Sequence, residues 1–159
     1  PGARVTGGLG TPAWDEITGA VGLALGGDRD AGAVALRECW ARTSDDYHAQ
    51  RCVLAHYLAD LEPDLDDEIA WDERALAAYA HVGEGDLAGI GIPHAGGMAP
   101  SLHLNLGDGY LRAGLMHEAR AQLAAGVAQA DLLGADGYGA MIRQGLERLA
   151  ARIEAGSNG

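Results

Sequence analysis

Two residue types are missing from this chain. There is no phenylalanine, and lysine is absent, so that all 11 cationic side chains are arginine. Aromatic residues make up only 5% of the sequence, yet 48% is hydrophobic, so a core must be assembled from Ala and Leu with a few Trp and Tyr. No run of 18 apolar residues occurs, which leaves nothing to span a membrane as a helix. No secretory hydrophobic region opens the chain, and Pro1 is not a natural start, which points to a trimmed or processed N-terminus. Cysteine is scarce. Cys39 and Cys52 stand in no metal-type spacing, and they read as reduced thiols of a cytoplasmic protein, packed as small hydrophobes. The net charge of −12 argues against nucleic acid, whose binding relies on cationic groups that displace counterions. It fits a basic partner, or solubility alone.

Length and composition describe one domain, residues 1–159, with room for a core. The Ala-Leu-Glu-Arg bias favours helices, and Ala, Gly and Arg without Lys suggest a source of high GC content. No strand pattern stands out. Helices are predicted at 13–25, after Thr11-Pro12, and at 30–43, with Val34, Leu36, Cys39 and Trp40 as apolar positions. Ser44-Asp45-Asp46 is read as the cap of a third helix at 46–62, which Pro63 stops. A fourth is expected at 65–82, with Leu65, Ile69, Leu76 and Tyr79 on one side and Asp66, Asp67 and Glu68 favoured by the dipole of the first turn. Residues 83–100 carry six glycines and two prolines and cannot be helical. Helices at 100–113, 115–133 and 138–155 complete the chain, the last with Met141, Ile142, Leu146, Leu149 and Ile153 inward, and the terminal GSNG is expected to fray.

The stretch SLHLNLGDGYLRAGLMHEARAQL, residues 101–123, holds the sharpest motif. Leu106-Gly107, Tyr110, Gly114 at the turn, Ala119 and Leu123 stand at the spacing of a tetratricopeptide repeat, which this stretch resembles. His103 and Asp131 depart from the pattern, where Trp or Leu and a closing Pro are usual. Weaker copies lie upstream: Ala20, Val21 and Ala24 precede Leu54, Ala55 and Leu58 by 34 residues, and these precede Leu106, Gly107 and Tyr110 by 52. More broadly, the chain is similar to small actinobacterial repeat proteins of unassigned role.

The resemblance implies an all-α, TPR-like solenoid of about three antiparallel helical hairpins (13–43, 46–82, 100–133) and a C-terminal capping helix (138–155). It also implies a concave groove lined by the first helix of each hairpin, holding a peptide or protein partner. Carried onto this sequence, the groove residues are His48, Cys52, His56 and Asp60, then Ser101, Asn105, Asp108 and Arg112. With few cations there, a carboxylate clamp does not fit; a polar or basic peptide, or a second copy of the chain, fits better. The loop 83–100, with Ile90, Ile92, Pro93 and Met98 around His94, is the second candidate site.

Other chemistry is thinly supported. Ligands spaced as His48, Cys52, His56 and Asp60 spread over about 12 Å of helix, so one metal ion would need further ligands such as His103 or Asp108. Cys52 with His48 or His56 is a conceivable thiol–imidazole pair, but there is no P-loop, no HExxH and no nucleophile elbow. The glycines of 83–97 follow no strand, which removes a dinucleotide fingerprint. The reading therefore leans towards a non-catalytic interaction module without cofactor or metal. The alternative is a small-ligand or metal site built from the groove His and Cys residues and the loop. Trp14, Trp40 and Trp71 are assigned to the core between hairpins.

Overall fold

The computed structural model describes residues 10–157, and within them the chain is all-helical, with no strand. Seven α-helices follow in order: α1 Trp14–Leu25, α2 Arg29–Ala41, α3 His48–Leu61, α4 Leu65–Tyr79, α5 Ala99–Arg112, α6 Met116–Ala128 and α7 Gly137–Ser157. None is long and apolar enough to cross a membrane. The expected end at GSNG is helical to Ser157, and its last two residues lie outside the described ones.

Local chemistry sets most of the boundaries. Asp28 accepts from the Ala31 N–H and Asp64 from the Asp67 N–H, each at 3.2 Å, capping α2 and α4. Pro63 follows the last turn of α3, whose ladder ends at Leu61. Gly114 turns the chain between α5 and α6 at φ +80°, a left-handed conformation that a side chain would strain. The expected cap at Ser44-Asp45-Asp46 is not formed. These residues make a turn closed by the Tyr47 N–H to the Ser44 carbonyl at 3.0 Å, Tyr47 precedes the helix without a side-chain cap, and Asp45 pairs instead with Arg51 at 3.0 Å. The sixth helix ends at Ala128, and a 3₁₀ turn at Ala130–Leu132 replaces its expected last turn.

Packing is sequential. α1 lies on α2, α3 on α4 and α5 on α6, and each pair touches the next through α2–α3 and α4–α5. α7 covers α5 and α6. The larger core joins Ile17, Leu36, Cys39, Cys52, Leu54 and Leu58 of the first two pairs to Leu102 of α5. Two smaller clusters, Ala119–Leu149–Ile153 and Leu133–Ile142–Leu146, hold α7 down, with Leu104 and Leu123 packed against both. Gly107 lies in close contact within this layer: a Cβ there would stand 2.9 Å from Leu149 and 3.3 Å from Gln122. Between the first two pairs, Trp40 and Trp71 meet edge to face with centroids 4.9 Å apart, and Arg51 covers Trp40. Two apolar expectations are corrected: Val34 is 54% and Met141 58% exposed, because neither faces a neighbouring helix.

The glycine-rich segment is a folded plug. Two 3₁₀ turns, Ala88–Ile90 and Ala95–Met98, organise it, and Leu87, Ala95 and Met98 are buried in the larger core. The Tyr79 hydroxyl donates to the Ala95 carbonyl at 3.2 Å, and the Ala95 N–H to the Glu84 carbonyl at 3.0 Å. Gly89 sits so close to the Trp14 ring that a Cβ would come within 2.3 Å of it.

Candidate functional site

The sequence places His48, Cys52, His56 and Asp60 one turn apart on α3. A step of four residues turns about 400°, so each step advances about 40° around the helix and the row rotates by about 120° from end to end. The structure shows the consequence. Cys52 is fully buried, and burial pushes its thiol up to about 12. It is therefore a core residue and not part of any groove, which corrects its assignment. The Cys39 thiol is buried too and is likewise raised, by burial first. His48 points to the other end of the pair and stacks on His81, with ring centroids 4.5 Å apart. His56 and Asp60 remain beside α5.

On α5 the four candidates divide in the same way. Ser101 is buried; its hydroxyl donates to the Met98 carbonyl at 2.9 Å and accepts from the Tyr138 hydroxyl at 2.8 Å. Asn105 faces His56, Nδ2 to Nδ1 at 3.5 Å. Asp108 accepts from Arg112 Nε at 2.9 Å and from Arg152 at 2.6 Å, and Arg112 also grips Glu68 of α4. The two ends of α5 thus serve different neighbours: Ser101 lines an apolar cavity and Asn105 meets His56, while Asp108 and Arg112 join an ion-pair network.

The cavity measures ≈ 480 Å³ and lies between α3, the plug and the turn before α7. Val53, Tyr57, Ile90, Ile92, Met98 and Leu132 give it apolar walls, and His56, Ser101, Asp136 and Tyr138 contribute polar groups. His94 stands at the rim, largely exposed, 3.4 Å from Glu84. Burial lowers the His56 pKa, with Asp60 opposing, so the imidazole is neutral near pH 7. Burial also raises the Tyr57 phenol and the Asp60 carboxyl, the latter against the pull of His56. The site can therefore desolvate an apolar group and offer neutral hydrogen-bonding partners around it. The Ser101 proton is engaged with a carbonyl and the Cys52 thiol is enclosed, so neither is poised as a nucleophile. Among the described residues, no three His, Cys, Asp or Glu side chains converge on a metal position.

Tyr57, Tyr138, Asp136 and Asp72 were not among the sequence candidates. Asp72 alone left a signal there: it stands three residues after Ile69 and four before Leu76, a carboxyl on the apolar stripe of α4. In the structure it is 3% exposed, and its pKa is raised to about 8, chiefly by burial and then by Asp60 and Glu68, with Arg112 opposing.

A scan against family models finds no match to this chain, and searches of curated proteins and of solved structures find none either.

Proposed function

We propose that the chain is a non-catalytic, TPR-like binding module that holds an extended segment of a peptide or protein partner along the α3–α5 face, with an apolar side chain of that segment anchored in the cavity under the plug. One observation carries this reading: a ≈ 480 Å³ cleft with apolar walls and a few convergent polar groups, built where two successive helix pairs meet. Clefts of this size take either a small ligand or an anchoring side chain. The sequential packing of helix pairs supports a solenoid-like scaffold, and so does the close packing of Gly107, Tyr110, Ala119 and Leu123 in the layer of α5, α6 and α7. The absence of a poised nucleophile at Ser101 or Cys52 favours binding over catalysis.

Gly97→Leu tests the reading. A Cβ at Gly97 meets nothing closer than the Leu132 carbonyl at 3.5 Å, so a larger side chain can enter the cavity it lines. Peptides selected from a displayed library on the wild-type protein should share an apolar anchor and lose about tenfold or more in affinity on the variant. Binders indifferent to Gly97→Leu, or no selection above background, overturn it. The cavity's size also favours a second reading, a small neutral ligand, which native mass spectrometry of the freshly purified protein would reveal as a discrete added mass that Gly97→Leu removes.

A further inference from the structure

The polar groups that line the cavity are not all engaged within the protein. Ser101 gives its proton to the Met98 carbonyl, and Tyr138 gives its own to Ser101. Asp136 accepts from the Gly139 N–H at 2.9 Å. His56 and Tyr57 differ from these. They are neighbours on α3, both line the cavity, and their rings meet edge to face with centroids 5.2 Å apart. An amide nitrogen only donates, so Asn105 Nδ2, 3.5 Å from His56 Nδ1, makes Nδ1 the acceptor. Burial lowers the His56 pKa, and the neutral ring then carries its one proton on Nε2. Among the described residues, neither that N–H nor the Tyr57 hydroxyl has a hydrogen-bond partner. No side-chain nitrogen or oxygen there is both enclosed and unpartnered, so the two donors are open, and the space their side chains line is the cavity.

We propose that the His56 Nε2–H and the Tyr57 hydroxyl hold a neutral amide carbonyl at the tip of an apolar stem, which lies against Ile90, Ile92 and Met98. This rests on the proposed groove and names the chemistry its anchor carries. A carbonyl oxygen has two lone pairs, one for each donor. A carboxylate would offer the same lone pairs, but Asp136 shares the cavity and the chain carries a net charge of −12, which repels an anion. An ammonium brings only protons and would meet two donors. A wholly apolar tip would displace water and leave both donors unpaired, which is costly. An acylated lysine on the partner segment and a free small amide share the required chemistry.

The probes are acetyl-Ala-Ala-X-Ala-Ala-amide, with X either Nε-acetyl-lysine or norleucine, and free N-butylacetamide. Norleucine keeps the apolar stem and lacks the amide. Each probe is titrated into the whole chain and followed by calorimetry and NMR. In the wild type the acetyl-lysine peptide should bind about tenfold more tightly than the norleucine peptide, and Tyr57→Phe should cut that preference to about threefold. The Tyr57 hydroxyl bonds nothing in the described chain, so Tyr57→Phe should unfold at the wild-type urea concentration and bind the norleucine peptide unchanged. Nitrogen NMR of the imidazole, which needs no variant, should show His56 protonated at Nε2 and that signal shifting with the acetyl-lysine peptide. A proton on Nδ1 overturns the seat. Equal binding of the two peptides also overturns it and leaves the groove standing, as does a preference that survives Tyr57→Phe in full. Binding of N-butylacetamide without either peptide keeps the seat and makes its ligand a free amide, and no binding of any probe overturns both.

Discussion

A single buried carboxyl gives this protein its sharpest pH signature. Burial raises the Asp72 carboxyl from the ordinary aspartate value of 3.8 to about 8. Below pH 4 it is protonated in both the folded and the unfolded chain, and it costs nothing. Between pH 4 and 8 the unfolded chain ionises at this site while the folded one keeps its proton, so stability falls as pH rises and levels off above 8. Asp72→Asn should therefore match the wild type at pH 4 and exceed it at pH 8 by about 1–3 kcal/mol, measured by urea unfolding at the two pH values. The cysteines behave in the opposite sense to reactive thiols. Cys52 is pushed up to about 12 and Cys39 is also raised. Ellman's reagent at pH 8 should leave both untouched in the native protein and titrate two in guanidinium. Rapid native labelling would show that the core around α3 opens.

At the scale of elements, the loop 83–100 and its seat on α1 decide the shape of the cavity. Gly89→Ala would drive a methyl into the Trp14 ring, which stands 2.3 Å from that position. The expected result is a loss of about 1–3 kcal/mol and a change in tryptophan emission as the plug shifts. Because Ile90, Ile92 and Met98 of the same loop line the cavity, Gly89→Ala should also weaken any ligand of that site. The composition of this loop excludes a helix, and so much was legible in the sequence. Its burial was not: Leu87, Ala95 and Met98 look no different in sequence from the residues of a loose insertion. Helix boundaries were legible where a cap or breaker acts locally, as at Asp64 and Pro63, and were misread at Ser44-Asp45-Asp46, where Arg51 draws Asp45 into an ion pair instead.

For the whole molecule, α7 closes the end of the stack. Ile142, Leu146, Leu149 and Ile153 cover Leu104, Ala119 and Leu123, and removing them would leave that layer in water. At about 1.5–3 kcal/mol for each buried aliphatic side chain, a chain ending at residue 136 should lose most of its stability and self-associate, as sedimentation velocity would register. A monomeric, cooperatively folding truncation would show that the first three pairs stand alone. The network joining Arg112 to Glu68 and Asp108, and Arg152 to Asp108, ties α4, α5 and α7 together at the surface. Arg112→Ala should cost only about 1 kcal/mol, and less at high salt, because these groups are partly solvated.

The amino-acid sequence by itself determined that this chain is helical, where most of the helices begin and end, and that Leu106-Gly107, Tyr110, Gly114 and Ala119 belong to one hairpin. Those are properties of short range, set by propensity, capping and the period of 3.6 residues. Which polar residues share a site was decided only in three dimensions. Cys52 went to the core, His48 to His81, His56 to the cavity, and Asp108 to a surface network, although all four looked alike as candidates. A spacing of four on a helix of 3.6 residues per turn rotates each position away from the last, and only the helices packed on either side fix which of them face a common space. Asp72 stood in plain view on the apolar stripe of α4, but its isolation became visible only once α3 and α5 had closed over it.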